Sequence, residues 1–291
     1  MERYALHILL SILLSFMCGI SLHASTRKSP QRIILWERNW ATGGEAVPLL
    51  KIILDATREE FGSYELIKSV PMEQKRAMSE LENRRTLDIV SIATDIDRES
   101  RLYPIRTPTD KGVIGYRVCL IHRDNRAMFR NIKSVMDLQT VRFGLGESWP
   151  DVQVLKHAQL LVVTSVRYEG LFPMLVNRRF DCFLRGVGEV EQELQRFAHP
   201  HMVLEENVLI IYPQPNYFFV NRENRALIHR LETGFTILLR NGGYDAFFDR
   251  FFQPQLNKLH IPKRQHIFLD NPHLTPETRK LMRDSRFKIL F

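Results

Sequence analysis

Arg98 is the residue whose setting most invites chemistry. It follows a short apolar run, Leu87 to Ile92, that reads as a buried strand, and a polar turn from Ala93 to Asp97. A guanidinium offers a planar fork that matches a carboxylate through two parallel hydrogen bonds. The plain alternative is a surface ion pair with Glu99 or Asp95. Asp95 can also orient Arg98 or occupy its fork. A second candidate is the loop Gly144-Leu-Gly146-Glu147-Ser148-Trp149, where glycines let backbone N–H groups face an anion. A lone pair of glycines is also a common turn, and Glu147 would repel a carboxylate. Arg185 and Gly186 follow an apolar run, Phe180 to Leu184; Arg185 facing solvent is an equally good reading. Trp36, Trp40, Trp149 and Tyr168 fall at strand ends or loops, where a ring can stack on a solute. For any one of them core packing is the better reading, with Trp36 or Trp40 the most plausible wall. Glu169 suits a helix start.

The elements that must position these residues alternate in type. Strands are expected at Arg32 to Trp36, Tyr64 to Val70 and Leu87 to Ile92. Helices are expected at Val47 to Phe61, with Pro48 in its first turn and Gly62 beyond its end, and at Met72 to Asn83. This is a βαβαβ pattern, which predicts a parallel sheet with right-handed crossovers. The texture repeats with strands at Val141 to Gly144, Leu161 to Thr164 and Phe180 to Leu184. The helices between and after them are Asp151 to Ala158, Glu169 to Val176 and Val187 to Phe197. The first block leaves at Gly115 to Ile121 and the chain returns near Tyr212 to Val220, two extended crossings, and helices at Asn224 to Leu239 and Tyr244 to Phe252 complete the first block. The fold class is therefore α/β, two Rossmann-like lobes joined by two hinge crossings. The lobes are residues 30–115 with 219–291, and residues 116–218. The tail after Pro254 is expected to wrap the surface. Ligands of open α/β sheets sit outside the carboxyl ends of the strands, which here means the cleft between lobes.

Composition narrows the function classes. With 291 residues, 44% hydrophobic and 25% charged, the chain is long enough for two packed domains. Arg3, an apolar run from Ala5 to Ile20 and a small polar stretch ending at Ala24 make a secretory signal peptide of residues 1–24, too short an apolar run for an anchor. Its removal takes one acid and one base, so the net charge stays +8. The bases are scattered rather than clustered, which argues against nucleic acid. Cys119 and Cys182 can pair after export, but both lie in apolar runs, and two buried thiols are the expectation. The ten histidines are dispersed, with no Cys/His spacing for a metal. No nucleophile elbow or phosphate loop occurs, so no catalytic residue, metal or cofactor is expected.

The chain resembles the family 3 periplasmic solute-binding proteins of amino-acid ABC importers. The likeness runs through Ile92-Ala-Thr-Asp-Ile-Asp-Arg98 with Leu102 and Pro104-Ile105, then Asn177-Arg-Arg-Phe-Asp181-Cys182, then Asn241-Gly-Gly-Tyr244-Asp-Ala-Phe247. It covers about Arg32 to Phe252. Arg167 to Phe172 and Phe180 to Gly186 point to a divergent subgroup. The resemblance implies the type II periplasmic binding fold, with Arg98 holding a ligand carboxylate and Thr94 supplying a hydroxyl. Three departures stand out: Asp95 occupies the place the family gives a hydroxyl, Glu147 that of a threonine, and Gly186 that of an amine-binding acid.

The function expected is capture of a small polar, carboxylate-bearing solute by a monomeric periplasmic protein serving an inner-membrane ABC permease. The site residues are Arg98, Thr94, Trp36, Trp40, Glu147, Trp149 and Arg185. The alternatives are a dehydratase-like enzyme on the same scaffold, with Glu147 or Glu169 as its acid, and a ligand sensor without transport.

Overall fold

The computed structural model describes residues 29–41 and 44–287. The predicted signal peptide lies outside the described residues. Two sheets organise the compact unit Gln31–Phe291. The first comprises β1 (Gln31–Leu35), β2 (Tyr64–Lys68), β3 (Ile89–Ala93), β4 (Tyr103–Ile105) and β11 (Asn216–Val220), in the order β2-β1-β3-β11-β4. The second comprises β5 (Tyr116–His122), β6 (Arg142–Gly146), β7 (Leu161–Ser165), β8 (Cys182–Gly186), β9 (Met202–Leu204), β10 (Val208–Ile211) and β12 (Gln265–Phe268). Its order is β12-β10-β5-β8-β6-β7, with β9 paired to β5.

The expected alternation is therefore present, and its physical origin is plain. β3, Ile-Val-Ser-Ile-Ala, is buried along nearly its whole length because it runs through the middle of its sheet. The Ala46–Ala56 helix buries Ala46, Leu49, Leu50, Ile53 and Leu54, a stripe at helical spacing. Each such Leu or Ile contributes about 2 kcal/mol on leaving water. Gly234, on the long Arg225–Asn241 helix, lets that helix settle on Ile53: a Cβ there would lie 2.5 Å from Ile53 Cγ2.

The chain leaves the first sheet after β4, enters β5, and returns from β10 to β11. β3–β11 and β11–β4 are antiparallel, as are β5–β8 and β10–β5. The two crossings touch. Tyr212 N donates to Gly115 O at 3.1 Å, and a Cβ at Gly115 would sit 2.1 Å from Tyr212 O. Only glycine fits there.

Three expectations are corrected. First, the tail is more than a surface wrap, and residues 219–291 do not all belong with the first sheet. β12 pairs in parallel with β10 in the second. Second, the segment after Ile92 is not simply a turn. Ile96–Arg101 is a helix capped by Asp95, whose carboxylate accepts from Arg98 N at 2.7 Å. Third, Cys119 and Cys182 form a disulfide rather than two thiols. The antiparallel β5–β8 register places Ile121 opposite Cys182 and Cys119 opposite Leu184. Both cysteines thus reach the same face with their Cα atoms 5.1 Å apart, well within bridging distance. An apolar setting is as much that of a core disulfide as of two buried thiols.

Candidate functional site

A cavity of about 140 Å³ lies between the carboxyl ends of the two sheets. The first sheet's side supplies Trp36, Asn39, Glu45, Gln74, Ser91 and Arg98. The crossings supply Asp110 and Asn216, and the second sheet's side supplies Arg117, Trp149, Asp151, Tyr168, Arg185 and Glu189. Among the described residues, no group of His, Cys, Asp and Glu is arranged to hold a metal ion. No helix among them is long and apolar enough to cross a membrane.

Arg98 reaches the cavity but spends its donors on protein. Nη1 donates to Ala93 O. Nη2 donates to Gln74 Oε1 at 3.0 Å and to Ser148 O at 2.8 Å, while Nε lies 3.5 Å from Asp95 Oδ2. The contact with Ser148 ties the first sheet's loop to the second sheet's loop. Burial pulls the guanidinium down from its ordinary pKa, with Asp95 opposing. The remaining cations are also matched. Arg117 Nη2 lies 2.5 Å from Asp151 Oδ1. Burial lowers the Arg117 pKa, but Asp151, Tyr212 and Glu189 together outweigh it and the net shift is upward. Arg185 grips Glu193 with Nε and Nη2, both at 2.6 Å, and Nη2 is 3.0 Å from Glu189. Burial opposes the charge on Arg185, yet Glu189 and Glu193 raise its pKa overall. The same guanidinium stacks over Trp149 at 4.7 Å. Arg38 bridges Glu73 at 2.9 Å and Glu169 at 3.2 Å across the cleft mouth.

The acids are in excess. Burial, the neighbouring Asp110 charge and Glu189 raise the Glu45 carboxyl from 4.5 to about 7. Burial likewise raises Asp110 from 3.8 to about 6, against hydrogen bonds from the N–H groups of Ile114 and Gly112. Two buried polar atoms on cavity-lining residues have no hydrogen-bond partner: the Ser91 hydroxyl and Arg117 Nε. Ser91 is 4% exposed and Arg117 3%. Buried polar groups without partners are rare in folded chains.

Of the residues expected from sequence, Arg98, Trp36, Trp149 and Arg185 line this cavity. Thr94, Trp40 and Glu147 stand elsewhere. Thr94 is fully buried and donates to Glu99 Oε1 at 2.8 Å. Trp40 packs against the main apolar cluster. Glu147 is exposed beside β6. The glycines of that strand serve packing rather than an anion: a Cβ at Gly144 would meet the Phe180 ring at 2.3 Å, and one at Gly146 the Trp149 ring at 2.5 Å. Glu45, Asp110, Glu189, Ser91 and Arg117 were missed. The acid absent at position 186 reappears three residues on. Gly186 N donates to Glu189 Oε2 at 3.1 Å, and a Cβ at 186 would meet that oxygen at 2.9 Å. A sequence signal existed for Asp110 alone, in its Pro108-Thr-Asp-Lys-Gly112 exit segment.

No family model and no curated protein matches the sequence. Solved structures do. An amino acid ABC transporter substrate-binding protein from Streptococcus pneumoniae bound to L-arginine is 14% identical with a TM-score of 0.57; the match covers 77% of this chain and 95% of that one. An ancestral amino acid-binding protein, a precursor of cyclohexadienyl dehydratase, is 16% identical over 77% of this chain and 95% of its own, with a TM-score of 0.55. A histidine kinase sensor domain with similarity to periplasmic binding proteins is 16% identical over 78% and 97%, with a TM-score of 0.56. The chain thus has the type II periplasmic binding protein fold.

Proposed function

We propose that this protein is exported by residues 1–24 to the periplasm and captures a small polar solute between its two sheets. The observation that carries this reading is the cavity itself: both sheets and both crossings wall it, and it holds a partnerless serine hydroxyl and arginine Nε. Hinge bending at the two crossings would open it, with residues 30–115 and the return after 219 as one lobe and 116–218 with β12 as the other. Trp36 and Trp149 then flank the solute. Delivery to an inner-membrane ABC permease by a monomer follows the same reading, and the transporter-type neighbour supports it.

The test is a thermal-shift screen of the purified chain against small solutes. A ligand present at 100 times its Kd stabilises by about 2.7 kcal/mol, a rise of roughly 5–10 °C for a chain of this size. A library of several hundred metabolites that moves the melting temperature nowhere refutes capture. Glu45 favours one second reading, because a carboxyl titrating near 7 in a cavity wall suits general acid–base work, and one structural neighbour is a dehydratase precursor. Incubation of protein with each stabilising solute, followed by product analysis, separates the two: turnover removes pure binding.

A further inference from the structure

The cavity wall carries more acid than base. Its lining includes Arg38, Arg98, Arg117 and Arg185 against Glu45, Glu73, Asp110, Asp151 and Glu189. Each arginine already has a carboxylate within 4 Å: Glu73 and Glu169, Asp95, Asp151, and Glu189 with Glu193. Neither Glu45 nor Asp110 makes an ion pair among the described residues. Glu45 Oε1 receives a long contact from Asn216 Nδ2 at 3.5 Å and the carboxylate also meets its own backbone N–H, while both Asp110 oxygens accept backbone N–H groups, at 3.0 Å from Gly112 and 2.7 Å from Ile114. These two partly desolvated carboxylates without a cation are unfavourable unless they take up protons or something positive lies against them. The Ser91 hydroxyl, buried and partnerless on the same cavity, independently marks this wall as facing a hydrogen-bonding solute. Arg98, the residue expected to fix a carboxylate, donates instead to Ala93, Gln74 and Ser148.

We infer that the solute is recognised through a cationic head, an ammonium or guanidinium group, seated between Glu45, Asp110 and Glu189 with Ser91 as a neutral partner, and that a carboxylate on the solute is dispensable. This rests on the solute-binding reading and names its substrate class. An N–H donor group of that kind offers two or three hydrogen bonds to acceptors in close array, which is what the wall presents.

The experiment uses fragments, so it does not wait for the full solute. Methylammonium and methylguanidinium, with acetate as the anionic control, are titrated by heteronuclear NMR into the wild-type chain, Glu45→Gln and Glu45→Asp. Circular dichroism and melting confirm that each variant is folded. The expected result is saturable shifts around Glu45, Asp110 and Ser91 with at least one cation and none there with acetate. Affinity should fall at least tenfold in Glu45→Gln and recover in part in Glu45→Asp. Equal cation binding by wild type and Glu45→Gln, shifts confined to other surfaces, or no cation binding at all overturns the inference. In parallel, a screen hit that is neutral or anionic and indifferent to Glu45→Gln would sink the cation assignment while leaving solute capture standing. A screen without any hit removes capture itself.

Discussion

Glu45 makes the sharpest prediction, because it can be tested on the solute-free chain. Its carboxyl titrates near 7 in the folded state against 4.5 unfolded, chiefly through burial and then through Asp110. Between those values the folded chain holds a proton that the unfolded chain has lost. Stability therefore falls as pH rises from about 4.5 towards 7, and levels off above it. The displacement is equivalent to about 3 kcal/mol, and partial exposure of the side chain brings the expectation to about 2 kcal/mol. Glu45→Gln keeps the shape and mimics the protonated form. The variant should match wild type at pH 4.5 and exceed it by about 2 kcal/mol at pH 8, a shift of roughly 1 M in the urea midpoint. The assay is equilibrium urea unfolding of both chains at half-unit pH steps, with the difference curve as readout. Asp110 and Glu189 both act on Glu45, and Arg117 lies 3.9 Å from Glu189, so the difference curve reports the loss of one member of an interacting group rather than an isolated pKa. A difference independent of pH, or wild type the more stable at pH 8, refutes the claim that this carboxylate is held against its preference.

Other perturbations read other parts of the molecule. Arg98→Ala removes the Nη2 bond to Ser148 O and leaves Gln74 and Ala93 O short of a donor, so it should cost about 2–4 kcal/mol in urea unfolding. It should also widen the particle in small-angle scattering; an unchanged radius of gyration argues against the cross-cleft link. Reduction, or Cys182→Ser, frees a loop of 63 residues and should cost about 4 kcal/mol by the chain-entropy relation; identical melting with and without dithiothreitol contradicts the bridge. Gly115→Ala forces a Cβ into Tyr212 O and should destabilise by more than about 2 kcal/mol, whereas Gly242→Ala, with open space around it, costs only its left-handed backbone strain of about 1 kcal/mol.

The fold was legible because its signals are local. Apolar runs of strand length, helices with a buried stripe, and Gly62 beyond a helix end all report on their own neighbourhoods, and each expected element has an observed counterpart within a few residues. What sequence order conceals is pairing at a distance. β12 lies more than 50 residues after β10, and nothing in Gln265–Phe268 names its partner. The cavity lining was legible only where a distinctive residue type falls at or just beyond a strand, as at Arg98, Trp36, Trp149 and Arg185. Thr94 illustrates the limit: its hydroxyl turns to Glu99, which also accepts from Thr275 at 2.9 Å, Thr278 at 2.6 Å and Arg106 at 2.7 Å. Two of those partners come from the tail, about 180 residues away, so no local pattern could show that the hydroxyl was taken.

The charge layout also bears on how a solute would control closure. Glu189 stands on the second sheet's side, Glu45 on the first, and Glu189 is among the groups that raise the Glu45 pKa. Bringing the sides together thus sets like charges against each other. Two contacts oppose that repulsion: Arg98 to Ser148 O, and Arg38 to Glu169, with Arg38 also 4.8 Å above the Tyr168 ring. On the proposed reading these opposing terms set the balance between open and closed forms. A ligand shifts such a balance only by its differential affinity for the two forms. A cation between Glu45 and Glu189 has that differential built in, because the closed form alone presents both carboxylates to it. A carboxylate would gain no comparable advantage, since the guanidinium groups it could seek are already matched to acids or carbonyl oxygens in the closed form. Selectivity for a cationic head and coupling of binding to closure are then consequences of the same three carboxylates.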